Sequence, residues 1–155
     1  MPDSPPAAIF YDDLELGRVF PSDSIEVTAE EIVAFAQRYD PQPFHVDAVA
    51  AEKSVFGGLV ASGWLTAAIT MRLMVTGAFS FQRGVIGMGI ESLRWPAPVR
   101  PGDRLTAAVE IVAMRPSESK PRFGVVQVRT TTRNQRGEAV QIVVSNVLVP
   151  RRASP

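Results

Sequence analysis

The chain contains no cysteine. That excludes disulfides, thiolate nucleophiles and zinc–thiolate sites. It contains one histidine, His45, so a multi-histidine metal site within one chain is excluded too. No loop shows the alternating acidic ligands of a Ca²⁺ or Mg²⁺ site, and no resident metal or cofactor is expected. Charge of one sign is not in excess. Sixteen basic residues balance sixteen acidic ones, which argues against a nucleic-acid or membrane-surface binder. No apolar run approaches the roughly 20 residues that a membrane helix needs. The start, "MPDSPPAAIF", lacks the basic and apolar regions of a secretory signal. A cytoplasmic protein is the expectation.

What is present suits one soluble globular domain with a real core: 155 residues, 46% hydrophobic and 21% charged. The domain is expected over 11–150, with loose segments at 1–10 and 151–155. "TAEEIVAFAQRYD" (28–40) predicts a helix, with Thr28 and Glu31 at capping-box spacing and Ile32, Phe35, Ala36 and Tyr39 on one face. Pro41 should stop it. A short helix follows Asp47 as N-cap. "SGWLTAAITMRLMVTGA" (62–78) predicts a second long helix, capped by Ser62 and ended at Gly77. Arg72 is its one charge, so it is expected to be buried on all sides.

Four strand patterns follow, at 84–95, 103–115, 122–134 and 138–150, and another lies near 18–27. In the last of the four, Val140, Ile142, Val144 and Leu148 keep period-two spacing. The links "PAPVRPG" and "QRG" suit successive antiparallel neighbours. The sum is an α+β fold, a curved antiparallel sheet around one buried helix. Strand order is not readable from periodicity.

Chemistry concentrates in "YDPQPFHVD" (39–47). Asp40 and His45 flank a stiff Pro41-Gln42-Pro43 link. A carboxylate and an imidazole held this way can bind water and move its proton. The plain alternative is a histidine bonded to a carbonyl in a turn. Asp47 reads as an N-cap. A second feature is "FGGLVASGW" (56–64), where glycines enter a helix. Free N–H groups there can stabilise a developing oxyanion, or the glycines only permit close packing. A third is "GVIGMGI" (84–90), whose glycines suggest a bulge or a ligand's close approach; the bulge is favoured. Trp95 before Pro96 reads as packing. No G-x-S-x-G elbow, dinucleotide fingerprint or phosphate loop occurs.

Asp40-x-Gln-Pro-x-His45-x-Asp47, then "FGGLVASGW", then "LRWPAPVRPGDRL" (93–105), resembles the MaoC-like dehydratase family, which includes the (R)-specific enoyl-CoA hydratases. The resemblance runs from about "YDDLELG" to the final strand. It implies a hotdog fold and a homodimer whose sheets join, with the site near the subunit interface. The implied substrate is a 2-enoyl thioester of coenzyme A or acyl carrier protein, with no separate cofactor. Carried over by position, Asp40 and His45 hold and activate water, and the Gly63 N–H stabilises the enolate-like oxygen. Gln42, Phe56, Gly57, Gly58, Ser62, Trp64 and Met88 are the expected substrate-binding residues, with Met71 as a further wall candidate. Gln42 stands where the family usually has asparagine, and Ser62 where histidine is common. A hotdog thioesterase and a non-catalytic acyl-thioester-binding partner subunit are the competing functions.

Overall fold

A computed structural model describes residues 8–81 and 83–153. Five strands are present among them: β1 (Val19–Glu26), β2 (Ile86–Arg94), β3 (Arg104–Pro116), β4 (Phe123–Arg133) and β5 (Ala139–Pro150). Four α-helices lie between β1 and β2: α1 (Ala29–Tyr39), α2 (Pro43–Val46), α3 (Ala48–Glu52) and α4 (Gly63–Thr76). The strands form one sheet in the order β1-β3-β4-β5-β2 with every neighbouring pair antiparallel. Tight links make β3–β4 and β4–β5 hairpins. "PAPVRPG" does not, because β2 pairs with β5 at one edge and β3 lies three places away. That link is a crossover, and the expected neighbour relation fails there.

Local chemistry accounts for the helix boundaries. Thr28 Oγ1 accepts the Glu31 N–H at 3.2 Å, and α1 stops at Tyr39, before Asp40-Pro41. Ile32 and Ala36 are buried, but Tyr39 is exposed on the last turn, where the helix has run past the core; its ring lies 5.1 Å from that of Phe35. Ser62 caps α4, accepting the Trp64 N–H at 3.3 Å. Gly77 ends α4 without a left-handed cap, since its φ is −91°. A Cβ there would fall 2.7 Å from the Leu73 carbonyl oxygen of α4 itself and 3.2 Å from Ser22 Cα of β1, so the helix end and the strand together leave room only for glycine.

The curved sheet wraps the inner face of α4. Leu65, Thr66, Ile69, Thr70, Leu73 and Met74 are buried against it. The expectation that α4 is enclosed on all sides fails for the single chain: Trp64 is 58% exposed and Met71 55%, with Val75 also open. One sheet can cover only one side of a helix. A long helix cradled by a curved antiparallel sheet is the hotdog fold, in the α+β class.

In β5 the expected Val140 and Leu148 are buried, as are Val143, Val147 and Val149, whereas Ile142 and Val144 are only half-buried. The anticipated phase is wrong in the strand's middle. The register shifts where Thr132 and Arg133 meet Gln141 and Ala139, which separates Val140 from the alternation beyond it. In β2 the glycines do mark bulges, with register shifts between Gly87 and Gly89 and between Ile90 and Ser92. Of the segments expected to be loose, 1–7 and 154–155 lie outside the described residues. Arg152 is tied to Asp13 at 2.6 Å.

Candidate active site

Asp40 closes α1, its N–H bonded to the Ala36 carbonyl at 2.9 Å. Pro43 occupies the first turn of α2, where a missing N–H costs nothing. His45 follows two residues later, and its N–H reaches the Gln42 carbonyl at 2.9 Å. Two bonds then dock α2 against the segment before α4. The Val60 N–H donates to the Phe44 carbonyl at 3.2 Å, and His45 Nδ1–H donates to the Val60 carbonyl at 2.7 Å. The stiff turn therefore has a defined product: His45, 6% exposed, with its Nε2 aimed at Asp40 Oδ2 3.4 Å away.

The tautomer follows from the partners. A carbonyl can only accept, so Nδ1 carries a proton and Nε2 of the neutral ring presents a lone pair. Asp40 is held by two donors. Ser62 Oγ–H bonds Oδ2 at 2.7 Å, and Gln42 Nε2–H bonds Oδ1 at 2.7 Å. The Ser62 bond is the main cause that keeps the Asp40 carboxyl below the ordinary carboxylate range; burial opposes it, and Gln42 and His45 reinforce it. Both departures from the family pattern thus act on the same carboxylate.

Asp40, Gln42 and His45 line a cavity of about 470 Å³, together with Phe44, Phe56, Gly63, Trp64, Thr66, Trp95 and others. Gly63 opens α4, where the first N–H groups have no intrahelical acceptor. A Cβ on Gly63 would lie 2.5 Å from the Trp95 indole, so this glycine also permits close packing. The close-packing reading of the glycine entry therefore holds at that residue.

The other predicted residues are placed less uniformly. Gln42, Phe56 and Trp64 are on the cavity wall. Ser62 sits behind it, bonded to Asp40. Gly57 and Gly58 shape the neighbouring loop: Gly57 has φ +65°, and Arg100 passes beside Gly58 to bond the Phe56 carbonyl at 2.8 Å. Met88 is exposed on edge strand β2 and Met71 on the outer side of α4, and neither lines the cavity in the single chain. Asp47 is an N-cap, accepting the Val49 and Ala50 N–H groups at 2.9 and 3.2 Å.

Sequence reasoning missed Trp95, Phe44 and Thr66. Trp95 is a cavity wall, edge-on to Trp64 at 5.4 Å between ring centroids, with its indole N–H fixed on Gln141 at 2.9 Å. A tryptophan that leads into the crossover "PAPVRPG" is the signal that could have found it. In the same crossover Asp103 is structural, accepting the Arg100 N–H at 2.9 Å and Gln135 Nε2–H at 3.0 Å.

Fold, cavity and the Asp–His pair define a hydratase-like hotdog domain, and comparison agrees: the family model of the MaoC like domain matches residues 15–134, so the chain belongs to the MaoC-like dehydratase family. A crystal structure of a MaoC-like dehydratase from Rhodospirillum rubrum superposes with a TM-score of 0.90 at 48% identity, covering 95% of this chain and all of that one. The 3-hydroxyacyl-thioester dehydratase Z of Mycobacterium tuberculosis is 33% identical over 140 residues, 85% of this chain and 87% of that protein. An (R)-specific enoyl-CoA hydratase of Rhodospirillum rubrum is 29% identical over 151 residues, 92% of this chain and 93% of that protein.

Proposed function

We propose that this protein adds water to, or removes it from, a 2-enoyl thioester of coenzyme A or acyl carrier protein. The carrying observation is the Asp40–His45 pair on the cavity wall, with the imidazole tautomer set by Val60. When Asp40 is ionised and the His45 ring is neutral, two lone pairs face each other across 3.4 Å. They make no hydrogen bond to one another in that state, but one water can donate a proton to each. The water oxygen attacks Cβ of the enoyl group. One of its protons passes to the pair, and the pair delivers a proton to Cα, so the elements of water are added and the protein is restored. Charge developing on the thioester oxygen is met by the Gly63 N–H at the positive end of α4. Proton transfers suffice, and no cofactor enters the proposed reaction.

The proposed partner is a second copy of the chain. Edge strand β2 exposes Ile86, Met88 and Ile90, and the outer side of α4 exposes Trp64, Met71 and Val75. Unpaired strand edges and apolar faces favour self-association. Light scattering should give about twice the 16.8 kDa chain mass; a monomer contradicts this part. Among the described residues no helix is long and apolar enough to cross a membrane.

The test is loss of enoyl-thioester absorbance when purified protein meets crotonyl-CoA. Asp40→Asn and His45→Gln should remove it while far-UV circular dichroism stays unchanged. Retained turnover in both variants contradicts the mechanism. Release of free CoA thiol favours thioester hydrolysis instead.

A further inference from the structure

The cavity has an open and a blind end. Gln42, Trp64 and Trp95 border solvent, while Val60, Ala61, Val99 and Val140 are buried. A substrate attached to a bulky carrier must leave that carrier at the open end and insert its acyl tail toward the blind one. The blind end is aliphatic with one departure, Thr66, which lines the cavity and is only 3% exposed. It sits three residues after Gly63 on α4, about 5 Å further along the helix axis.

The polar side chains around it are already committed. Gln42 and Ser62 bond Asp40, Trp95 bonds Gln141, and His45 Nδ1 bonds Val60. Thr70, the next threonine on that face, bonds Thr132 at 2.7 Å. The Thr66 hydroxyl makes no hydrogen bond to any described residue. Yet among the described residues no side-chain polar atom is both sealed from solvent and unpartnered. Its oxygen therefore keeps some accessible surface, and the cavity is the space that Thr66 lines. An apolar tail that excludes water there would leave the hydroxyl without a partner, which is costly, and an acyl tail that supplies one avoids the loss.

We propose that Thr66 is a specificity-determining residue, a hydrogen-bond partner for a neutral oxygen near the end of a short acyl chain. The proposal rests on the reading that the cavity takes an acyl thioester with the acyl part inward. A neutral oxygen fits better than a carboxylate. The cavity wall already carries ionised Asp40, and no lysine or arginine lines it. The substrate class is thus a short-chain thioester bearing a hydroxyl, ether or keto oxygen beyond Cβ.

Two saturated thioesters with the same number of heavy atoms test this by calorimetric binding, since neither can be hydrated. Pentanoyl-CoA ends in a methyl group where 4-hydroxybutanoyl-CoA ends in a hydroxyl. The wild type should bind the hydroxylated analogue about tenfold tighter, the worth of one well-made hydrogen bond in a buried site. Thr66→Val keeps the volume and should bring the ratio near one, mainly by weakening the hydroxylated ligand. Thr66→Ser should keep most of the preference.

No preference in the wild type, or a preference for pentanoyl-CoA, overturns the proposal whether or not the variants fold. So does a Thr66→Val protein that retains the preference, one that loses both ligands equally, or a wild type that binds neither. A wild type that discriminates in binding but hydrates no enoyl thioester upholds the Thr66 assignment and refutes the proposed reaction.

Discussion

The two walls of the cavity are built on opposite rules. On the α1–α2 side, both carboxylate oxygens of Asp40 and the Nδ1 of His45 are held by protein partners, which leaves Nε2 facing Asp40 at 3.4 Å. On the α4 side, the Gly63 N–H and the Thr66 hydroxyl are left uncommitted beside the edge-on Trp64–Trp95 pair. The committed wall is suited to chemistry, because misplacing a reacting group by about 1 Å can cost on the order of 100-fold in rate. The open wall is suited to recognition, because only an unpaired donor has bonding capacity to give a ligand. Under the proposed function, a single site gains both precision and selectivity from an unequal distribution of hydrogen bonds.

Breaking the committed wall should have the largest effect. Asp40→Asn and His45→Gln are each expected to lower kcat for enoyl-CoA hydration by about 100-fold to 10,000-fold, the range for a positioned acid or base. Steady-state kinetics on crotonyl-CoA checks this.

Ser62→Ala comes next, with kcat about tenfold lower from the lost charge-assisted bond. Ser62 stabilises the ionised Asp40, so removing it raises the carboxyl pKa. The acid limb of the pH–rate profile should move to higher pH. The sign for stability is the same. The folded-state pKa of Asp40 is depressed, so its contribution is present above the unfolded carboxylate range and lost as pH falls through the folded value. In acid melts Ser62→Ala should lose that contribution at higher pH than the wild type. A profile identical to the wild type removes Ser62 from the account.

How much of this contrast was legible in the chain depends on range. Caps, proline stops and the Asp40–His45 turn are local, and Thr28, Pro41, Asp47 and Ser62 mark them within a few residues. Strand order is a long-range property, so nothing inside "PAPVRPG" announces a crossover to β3. The phase of β5 was misread because valines occupy both faces and a bulge separates Val140 from Val143. Gln42 and Ser62 looked like departures from a pattern. That they converge on one carboxylate needs a contact across twenty-two residues of sequence. Thr66 was invisible for a different reason, since an unpaired hydroxyl can be recognised only once every neighbour's partner is known.

The open wall yields smaller effects. Gly63→Ala forces a Cβ against Trp95, and overpacking of this kind costs about 1–3 kcal/mol. Thermal melts should fall by several degrees. Trp95→Phe leaves the buried Gln141 Oε1 without its donor, a loss of about 1–3 kcal/mol that should register in melts before it changes kcat. The smallest change is expected from Gln42→Asn, which restores the residue usual in the family and shortens the donor arm to Asp40. A drop of only a few-fold in kcat is predicted, measured on the same substrate.

The most direct test of the account follows the fate of water itself. Crotonyl-CoA is incubated with the wild-type protein in H₂¹⁸O and the products are resolved by mass spectrometry. The account predicts a 3-hydroxyacyl-CoA with the heavy oxygen on Cβ and the thioester intact, absent with Asp40→Asn. Heavy oxygen in a free carboxylate, with release of CoA and no hydroxylated thioester, would contradict it.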